Sequence, residues 1–250
     1  MRDRWQTAIP ALGTGCCQVW WAHTSAAFPQ LLDLLDEEER GRHARFLRGQ
    51  DRALFLVSHA LARIVAARHA ATVPRAIRFS ALPSGGGIAG SKPRLVGPAS
   101  GLELSISHSG QRVVVALSRG VALGVDVERV SSASEESSLV QSVLPRSEQQ
   151  ELEILPAPMR PWAFCRYWTR KEAVLKATGD GLSVSPKRIA VSPPTGAPAL
   201  LHWSGPGRPA QPVHLYDLES EPGYAAALAA IGSPLECSEH DGSEILCAWR

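Results

Sequence analysis

The chain has 250 residues, of which 44% are hydrophobic and 20% are charged, and a formal net charge of +2. This composition is sufficient for a large buried core and excludes an intrinsically disordered chain. The small net charge gives no indication of nucleic-acid binding, and every apolar run is shorter than the roughly 18 residues that a membrane-spanning helix needs. We therefore expect neither a nucleic-acid nor a membrane partner.

The cysteines and the N-terminal segment indicate the cellular compartment. The sequence contains five cysteines, namely Cys16, Cys17, Cys165, Cys237 and Cys247. Their odd number and the lack of CxxC spacing predict reduced thiols rather than a disulfide framework or a zinc site. Pro10, Gly13 and Gly15 interrupt the N-terminal segment, which therefore lacks a signal-peptide core. These features predict a cytoplasmic protein.

The first predicted elements are a strand and a core helix. An apolar run at residues 18–22 predicts the strand, and leucines at 31, 34 and 35 predict a short helix after it. Asp51 is suited to cap a longer helix in which apolar residues recur at helical spacing. These residues are Leu54, Val57, Leu61, Ile64 and Val65.

A basic cluster precedes this helix and consists of Arg40, Arg42, Arg45, Arg48 and Arg52. We interpret most of these side chains as a solvated face, because Glu38 lies one helical turn before Arg42. One or two of the arginines could bind an anion. No aromatic residues alternate with them as they would in a single-strand nucleic-acid site.

The middle of the chain predicts a loop followed by a hairpin. Residues 83–101 are rich in Gly and Pro and contain Lys92, which alone is a weak signal. A strand then leads through Ser107 and His108 into a turn, and residues 113–117 form the returning strand. An isolated histidine such as His108 is more often structural than functional.

The next strand carries two carboxylates on one face. Residues 121–128 alternate between apolar and other side chains, so Asp126 and Glu128 share a face and lie roughly 7 Å apart. Gly124 beside them would leave room for a ligand. Two such acids can hold a divalent cation, although an exposed polar face would have the same pattern.

A second charged stretch lies on a predicted helix between Pro161 and Gly179, which suit its first turn and its end. Lys171, Glu172 and Lys176 border one apolar seam of this helix. Taken alone, Glu172 and Lys176 could form an ordinary i,i+4 ion pair.

The remaining predicted elements carry no visible chemistry. Residues 131–138 are predicted to form a polar loop, and a turn at Leu144 leads into a short helix. Strands are predicted at residues 188–191, 200–203, 213–218 and 224–230. The tail from Ser233 receives no assignment.

The two charged stretches together resemble the fingerprint of the 4′-phosphopantetheinyl transferases of the larger, two-halved, surfactin-synthetase-activating type. That family has a Gly-hydrophobe-Asp-hydrophobe-Glu strand followed by Trp-Ser/Thr-x-Lys-Glu-Ala-x-x-Lys. Residues 124–128 and 168–176 match both motifs without a gap. Residues 90–93, Gly-Ser-Lys-Pro, and residues 105–109, Ser-Ile-Ser-His-Ser, resemble two further family segments.

The resemblance implies an α+β fold, a pseudo-two-fold pair of similar α+β halves in one chain. We place the boundary near Ala122. Residues 1–122 would then form an N-terminal half with the coenzyme A phosphate contacts. Residues 123–250 would form a C-terminal half with the metal-binding acids and the catalytic helix.

The resemblance also implies a reaction. The protein would transfer the 4′-phosphopantetheine arm of coenzyme A, its substrate, to a serine of an apo acyl or peptidyl carrier protein, releasing adenosine 3′,5′-bisphosphate. Asp126, Glu128 and Glu172 would hold one Mg²⁺, with Mn²⁺ as an alternative. Glu172, or a water that it orients, would accept the serine proton, and Lys176 would offset charge on the leaving phosphate.

Further residues are assigned to the coenzyme phosphates by the resemblance. They are Arg45, Arg52, Lys92, Ser107, His108, Lys171 and Lys176. Family members commonly have an arginine two positions after the residue that corresponds to Arg52. This chain has Leu54 at that position. Which of Arg42, Arg45 and Arg52 reaches a phosphate therefore stays open.

Two other hypotheses remain. A different Mg²⁺-dependent phosphotransferase would use the same acids without a carrier protein. An inactive carrier-protein-binding module would need no acids, and the complete set of three argues against it. For the transferase itself we expect a monomer.

Overall fold

The computed structural model describes residues 9–80, 94–130, 139–179 and 184–250. The predicted polar loop at residues 131–138 lies outside them. The described chain divides into two compact units. The first unit contains residues 9–80, 94–120 and 235–250, and the second contains residues 121–130, 139–179 and 184–234.

The strands of the described residues are β1 (Cys16–His23), β2 (Arg78–Phe79), β3 (Leu95–Val96), β4 (Leu102–Ser109), β5 (Arg112–Arg119), β6 (Ala122–Arg129), β7 (Ile189–Val191), β8 (Leu200–Trp203), β9 (Val213–Asp217), β10 (Tyr224–Ile231) and β11 (Glu236–Asp241). The α-helices are α1 (Glu37–Arg45), α2 (Gly49–His69), α3 (Arg146–Ile154), α4 (Arg160–Thr178) and α5 (Gly242–Cys247). Short 3₁₀ turns include Pro29–Leu34, where the sequence predicted a short helix. No helix of the described ranges is long and apolar enough to cross a membrane.

The first unit is a four-stranded sheet covered by the long helix α2. The strand order is β11-β1-β5-β4, with β1 parallel to β11 and antiparallel to β5. The five apolar residues predicted for the core helix are all buried, which confirms its inward face. Asp51 does not cap this helix, because α2 begins earlier, with Arg48 at the N-cap, and Asp51 lies within its first turn.

A buried arginine on α2 ties the first unit together. Arg63 is fully buried, and its Nε donates to Glu39 Oε2 at 2.8 Å while its Nη2 contacts Asp36 Oδ2 at 2.5 Å. Its Nη1 donates to the carbonyl oxygens of Pro74 and Ile77. Asp36 and Glu39 also form the capping box that starts α1. All three nitrogens of the Arg63 guanidinium therefore have oxygen acceptors.

The second unit places α4 across the antiparallel sheet β6-β10-β9. A Cβ on Gly124 of β6 would lie 2.1 Å from the carbonyl oxygen of Ala173 and 2.4 Å from the amide nitrogen of Ala177. The sequence suggested that Gly124 leaves room for a ligand. In the structure the backbone of α4 fills that space, so Gly124 instead allows close packing of the helix on the strand. The helix ends as predicted, with Gly179 in the left-handed conformation at φ 82°.

The C-terminal tail, which the sequence analysis left unassigned, is folded in the structure. It forms β11 and α5, with Ile245 and Leu246 in the core of the first unit. The predicted halves, 1–122 and 123–250, thus differ from the observed units at the C terminus, since residues 235–250 return to the first unit. The α+β class with two halves is confirmed. All five cysteines are free thiols, as predicted.

Candidate functional site

The two strand acids lie on one face of β6, as their spacing predicts. Asp126 is only 3% exposed, whereas Glu128 is half-buried near the end of the strand. Glu128 Oε1 accepts a hydrogen bond of 3.3 Å from Trp168 Nε1 on α4. The strand therefore presents one deeply buried and one accessible carboxylate to the helix.

Lys176 of α4 lies directly on the first of these acids. Its Nζ is 2.6 Å from Asp126 Oδ1 and 3.2 Å from the carbonyl oxygen of Val125. The Lys176 side chain is 20% exposed. One positive charge therefore reaches the acidic site from the last turn of α4.

Glu172 of α4 is the third carboxylate. It is 8% exposed, and its Oε1 has no hydrogen-bond partner among the residues that the structure describes. Burial, together with the nearby Asp126 and Glu128 carboxylates, raises the pKa of Glu172 to about 7, and Lys176 opposes this shift. The three predicted acids thus come together, and one of them is poised to hold a proton near neutral pH.

The donor set fits a hard divalent cation, because all three groups are carboxylates and one oxygen, Glu172 Oε1, is buried without a donor from the described residues. The side chains are not arranged as a finished cage. Within the four described ranges, no group of three or more His, Cys, Asp or Glu residues is positioned to hold a metal ion. The Lys176 ammonium contacts Asp126 Oδ1, so a cation that binds there must displace it or share the carboxylate.

Lys171, predicted to bind a coenzyme phosphate, lies in a buried ion pair in this structure. Lys171 is fully buried, and its Nζ is 2.8 Å from Glu148 Oε2 of α3. The same ammonium donates to the carbonyl oxygens of Pro186 and Ile189. Burial lowers the pKa of Lys171 and raises the pKa of Glu148, and their mutual attraction opposes both shifts. A coenzyme phosphate cannot reach this side chain without unpacking the helix.

Four of the other predicted phosphate ligands lie in the first unit, namely Arg45, Arg52, Ser107 and His108. Arg45 and Arg52 are exposed, and Arg45 Nε donates to the carbonyl oxygen of Gly41 at 3.3 Å. On β4, Ser107 is buried and His108 is exposed. Lys92 lies outside the described residues. Solvent thus reaches His108 and both arginines.

The sequence did not point to the partners that anchor α4. Glu148 pairs with Lys171, and Asp217 at the end of β9 pairs with Arg170 and Arg166. Acids at helix starts and strand ends are common on protein surfaces. Only the packing of α4 shows that these two acids are partners of buried cations.

Comparison with known proteins gives consistent results for both parts of the chain. Residues 122–229 match the 4′-phosphopantetheinyl transferase superfamily, and residues 19–119 match the N-terminal region of 4′-phosphopantetheinyl transferases. A solved holo-(acyl-carrier-protein) synthase from Bacillus anthracis str. Ames, in complex with CoA (3′,5′-ADP), is also similar, at 22% identity and a TM-score of 0.39. That match covers 45% of this chain and 97% of the synthase, and at this TM-score it adds nothing to the fold assignment.

Two relatives extend across most of the chain. One is slr0495 of Synechocystis sp., whose name describes it as a 4′-phosphopantetheinyl transferase, at 33% identity over 168 residues. The other is the 4′-phosphopantetheinyl transferase HetI of Nostoc sp., at 31% identity over 168 residues. Each alignment covers 66% of this chain, and they span 66% and 69% of the two relatives. The chain therefore belongs to the 4′-phosphopantetheinyl transferase superfamily.

Proposed function

We propose that this protein transfers 4′-phosphopantetheine from coenzyme A to a serine of an apo acyl or peptidyl carrier protein, and that the carboxylates of β6 and α4 carry the chemistry. The observation that carries the proposal is the environment of Glu172. This buried carboxyl has a pKa raised to about 7 beside Asp126, Glu128 and Lys176. Perturbed acids grouped in this way are typical of catalytic sites.

In this proposal Asp126, Glu128 and Glu172 would hold one Mg²⁺, or Mn²⁺ in its place. When bound, the cation would offset the charge of the coenzyme pyrophosphate and polarise the phosphoryl group. Three neighbouring carboxylates repel one another, and this repulsion adds to burial in raising the pKa of Glu172. A dication relieves that repulsion, which favours metal binding at this place.

The proton and the leaving group are handled by α4. Glu172 accepts the serine proton at Oε1, directly or through a water, because this oxygen is not engaged by another described residue. The serine oxygen then bonds to the phosphorus that carries the pantetheine arm, and the bond to adenosine 3′,5′-bisphosphate breaks. Lys176 offsets the negative charge on that leaving group.

The first unit would contribute phosphate binding. His108 is exposed at the end of β4, and Arg45 and Arg52 are exposed near the start of α2. We retain these three residues, together with Ser107 and Lys92, as candidates for the coenzyme phosphates. The exposed guanidinium groups of Arg45 and Arg52 suit such a role better than the buried Lys171.

We further propose a monomer that acts in the cytoplasm. The five free cysteines are consistent with a reducing compartment. Carrier proteins and coenzyme A would then be its only partners in the reaction.

Intact-mass spectrometry tests the proposal directly. Several apo carrier proteins are incubated with the full-length protein, coenzyme A and Mg²⁺, with Glu172→Gln as the matched inactive variant. We expect at least one carrier to gain the mass of one phosphopantetheine group with the wild type and none with the variant. A wild type that modifies no carrier would favour another phosphotransferase or an inactive binding module.

A further inference from the structure

Arg170 of α4 is held by an unusually complete set of acceptors. Its side chain is fully buried, and Nε and Nη2 donate to the two oxygens of Asp217 at 2.9 Å and 2.7 Å. Its Nη1 donates to the carbonyl oxygens of Ser192 and Pro193, and its Nη2 also donates to that of Gly196. A planar guanidinium in a bidentate pair with a carboxylate has little freedom to move.

The anchor lies on the opposite side of the helix from the reacting carboxylate. Arg170 and Glu172 are two positions apart, which is about 200° around a helix axis. Arg170 reaches β9, at one edge of the sheet β6-β10-β9, whereas Glu172 faces the acids of β6 at the other edge. Any rotation of α4 about its axis therefore moves both side chains, and fixing one fixes the other.

Few side-chain hydrogen bonds fix the position of the Glu172 carboxylate. Its Oε1 has no hydrogen-bond donor within the described part of the chain, so the backbone of α4 largely sets its position. The contact at Gly124 fixes how closely α4 approaches β6. That contact fixes a distance, whereas the buried pairs Arg170–Asp217 and Lys171–Glu148 restrain the rotation of the helix.

We propose that Arg170, locked by Asp217, is a positioning residue that sets the rotation of α4 and thereby holds Glu172 toward Asp126. This inference rests on the proposed function of that site and adds residues outside the acidic cluster. The hydrogen bonds of the Arg170 side chain go to Asp217 and to carbonyl oxygens, and not to the acids of the site. Arg170 acts through the helix that carries Glu172.

A merely structural role is the competing explanation, and the first unit offers a matched control. Arg63 is also fully buried on a long helix, with Glu39 and Asp36 as acidic partners and two carbonyl oxygens as acceptors. Replacing either arginine by lysine keeps the charge and loses the two-pronged geometry. Both changes should cost similar stability, and only the change in α4 should reach Glu172.

The test compares Arg170→Lys, Asp217→Glu and Arg63→Lys in the full-length protein. We expect Arg170→Lys and Asp217→Glu to lower kcat about tenfold with KM for coenzyme A within about twofold. Mn²⁺ affinity, measured by calorimetry without carrier protein, should fall about tenfold in the same two variants. Arg63→Lys should lower the melting temperature comparably and leave kcat and Mn²⁺ affinity unchanged.

Two outcomes would overturn the proposal. One is wild-type kcat and Mn²⁺ affinity in both Arg170→Lys and Asp217→Glu. The other is an equal loss of both quantities in Arg63→Lys, which would show a general effect of stability. If the wild type modifies no carrier protein, the proposed function fails, and the Mn²⁺ comparison still decides whether Arg170 positions Glu172. If Asp217→Glu does not fold, Arg170→Lys alone decides.

Discussion

The two long helices, α2 and α4, solve the same packing problem and differ in the residues next to their buried arginine. Arg63 and Arg170 are both fully buried, and each is neutralised by carboxylates and backbone carbonyls. After Arg63 come Ile64 and Val65, which are core residues. After Arg170 come Lys171 and Glu172, both buried.

The difference shows where function departs from folding. In the first unit the buried Arg63 contacts both the buried Glu39 and the partly exposed Asp36, so opposite charges compensate one another. In the second unit Glu172 is buried near two further acids, and its pKa is raised to about 7. A buried group that is costly to ionise does not stabilise the fold, so its presence calls for another role.

The largest expected effect is the loss of phosphopantetheine transfer when a carboxylate of the site, Glu172 or Asp126, is replaced. Glu172→Gln and Asp126→Ala should lower single-turnover transfer by about 1,000-fold, or about 4 kcal/mol, because both remove charge from the reacting site. Transfer measured by intact mass checks this. Glu39→Gln, the matched change in the first unit, should retain most of the activity, and equal losses in all three variants would abolish the contrast.

A large stability effect is expected at the neighbouring ion pair. Lys171→Met should lower the free energy of unfolding by about 3 kcal/mol, because it leaves Glu148 buried without its cation. The double variant Lys171→Met with Glu148→Gln should recover part of that loss. Urea unfolding of the wild type and both variants measures these differences. A double variant that is less stable than Lys171→Met would show that Glu148 does not depend on Lys171.

The pH dependence of stability should identify Glu172. Its pKa rises from 4.5 to about 7 on folding, so the folded state keeps a proton that the unfolded state releases in this window. Ionisation of Glu172 therefore costs stability as the pH rises through the window. Without divalent metal, Glu172→Gln should gain about 2 kcal/mol relative to wild type between about pH 5 and about pH 8. A constant difference across that range would contradict the assigned pKa shift.

A smaller contrast is expected between the two units in kinetics. Lys176→Ala should lower kcat about tenfold more than it raises KM for coenzyme A, because its charge matters most on the leaving group. His108→Ala in the first unit should mainly raise KM, since it would bind a phosphate that does not react. Steady-state kinetics on both variants measures this, and the reverse pattern would exchange their roles.

The sequence predicted the parts of this contrast that depend on local pattern. Alternation placed Asp126 and Glu128 on one face of β6, and Pro161 with Gly179 bounded α4, because these signals act within a few residues. The burial of Lys171 and its pairing with Glu148 depend on α3 and β7 packing around α4. No local pattern encodes that packing, so the sequence did not indicate that Lys171 is buried.

The tail shows the same limit at the level of the fold. Residues 235–250 pair with β1 through β11, a contact between the two ends of the sequence. The apolar run at residues 18–22 predicted β1 itself, but no local pattern indicates which distant segment pairs with it. For that reason β11 and α5 could not be assigned from the sequence.

Titration of Mn²⁺ followed by electron paramagnetic resonance, which reports free Mn²⁺, tests most directly whether Asp126, Glu128 and Glu172 form a cation site. We expect the wild type to bind one Mn²⁺ per chain in the presence of coenzyme A, and Glu172→Gln and Asp126→Asn to bind it at least about tenfold more weakly. Glu39→Gln in the first unit should bind as the wild type does. Unchanged Mn²⁺ affinity in both site variants would contradict the account and place the metal elsewhere.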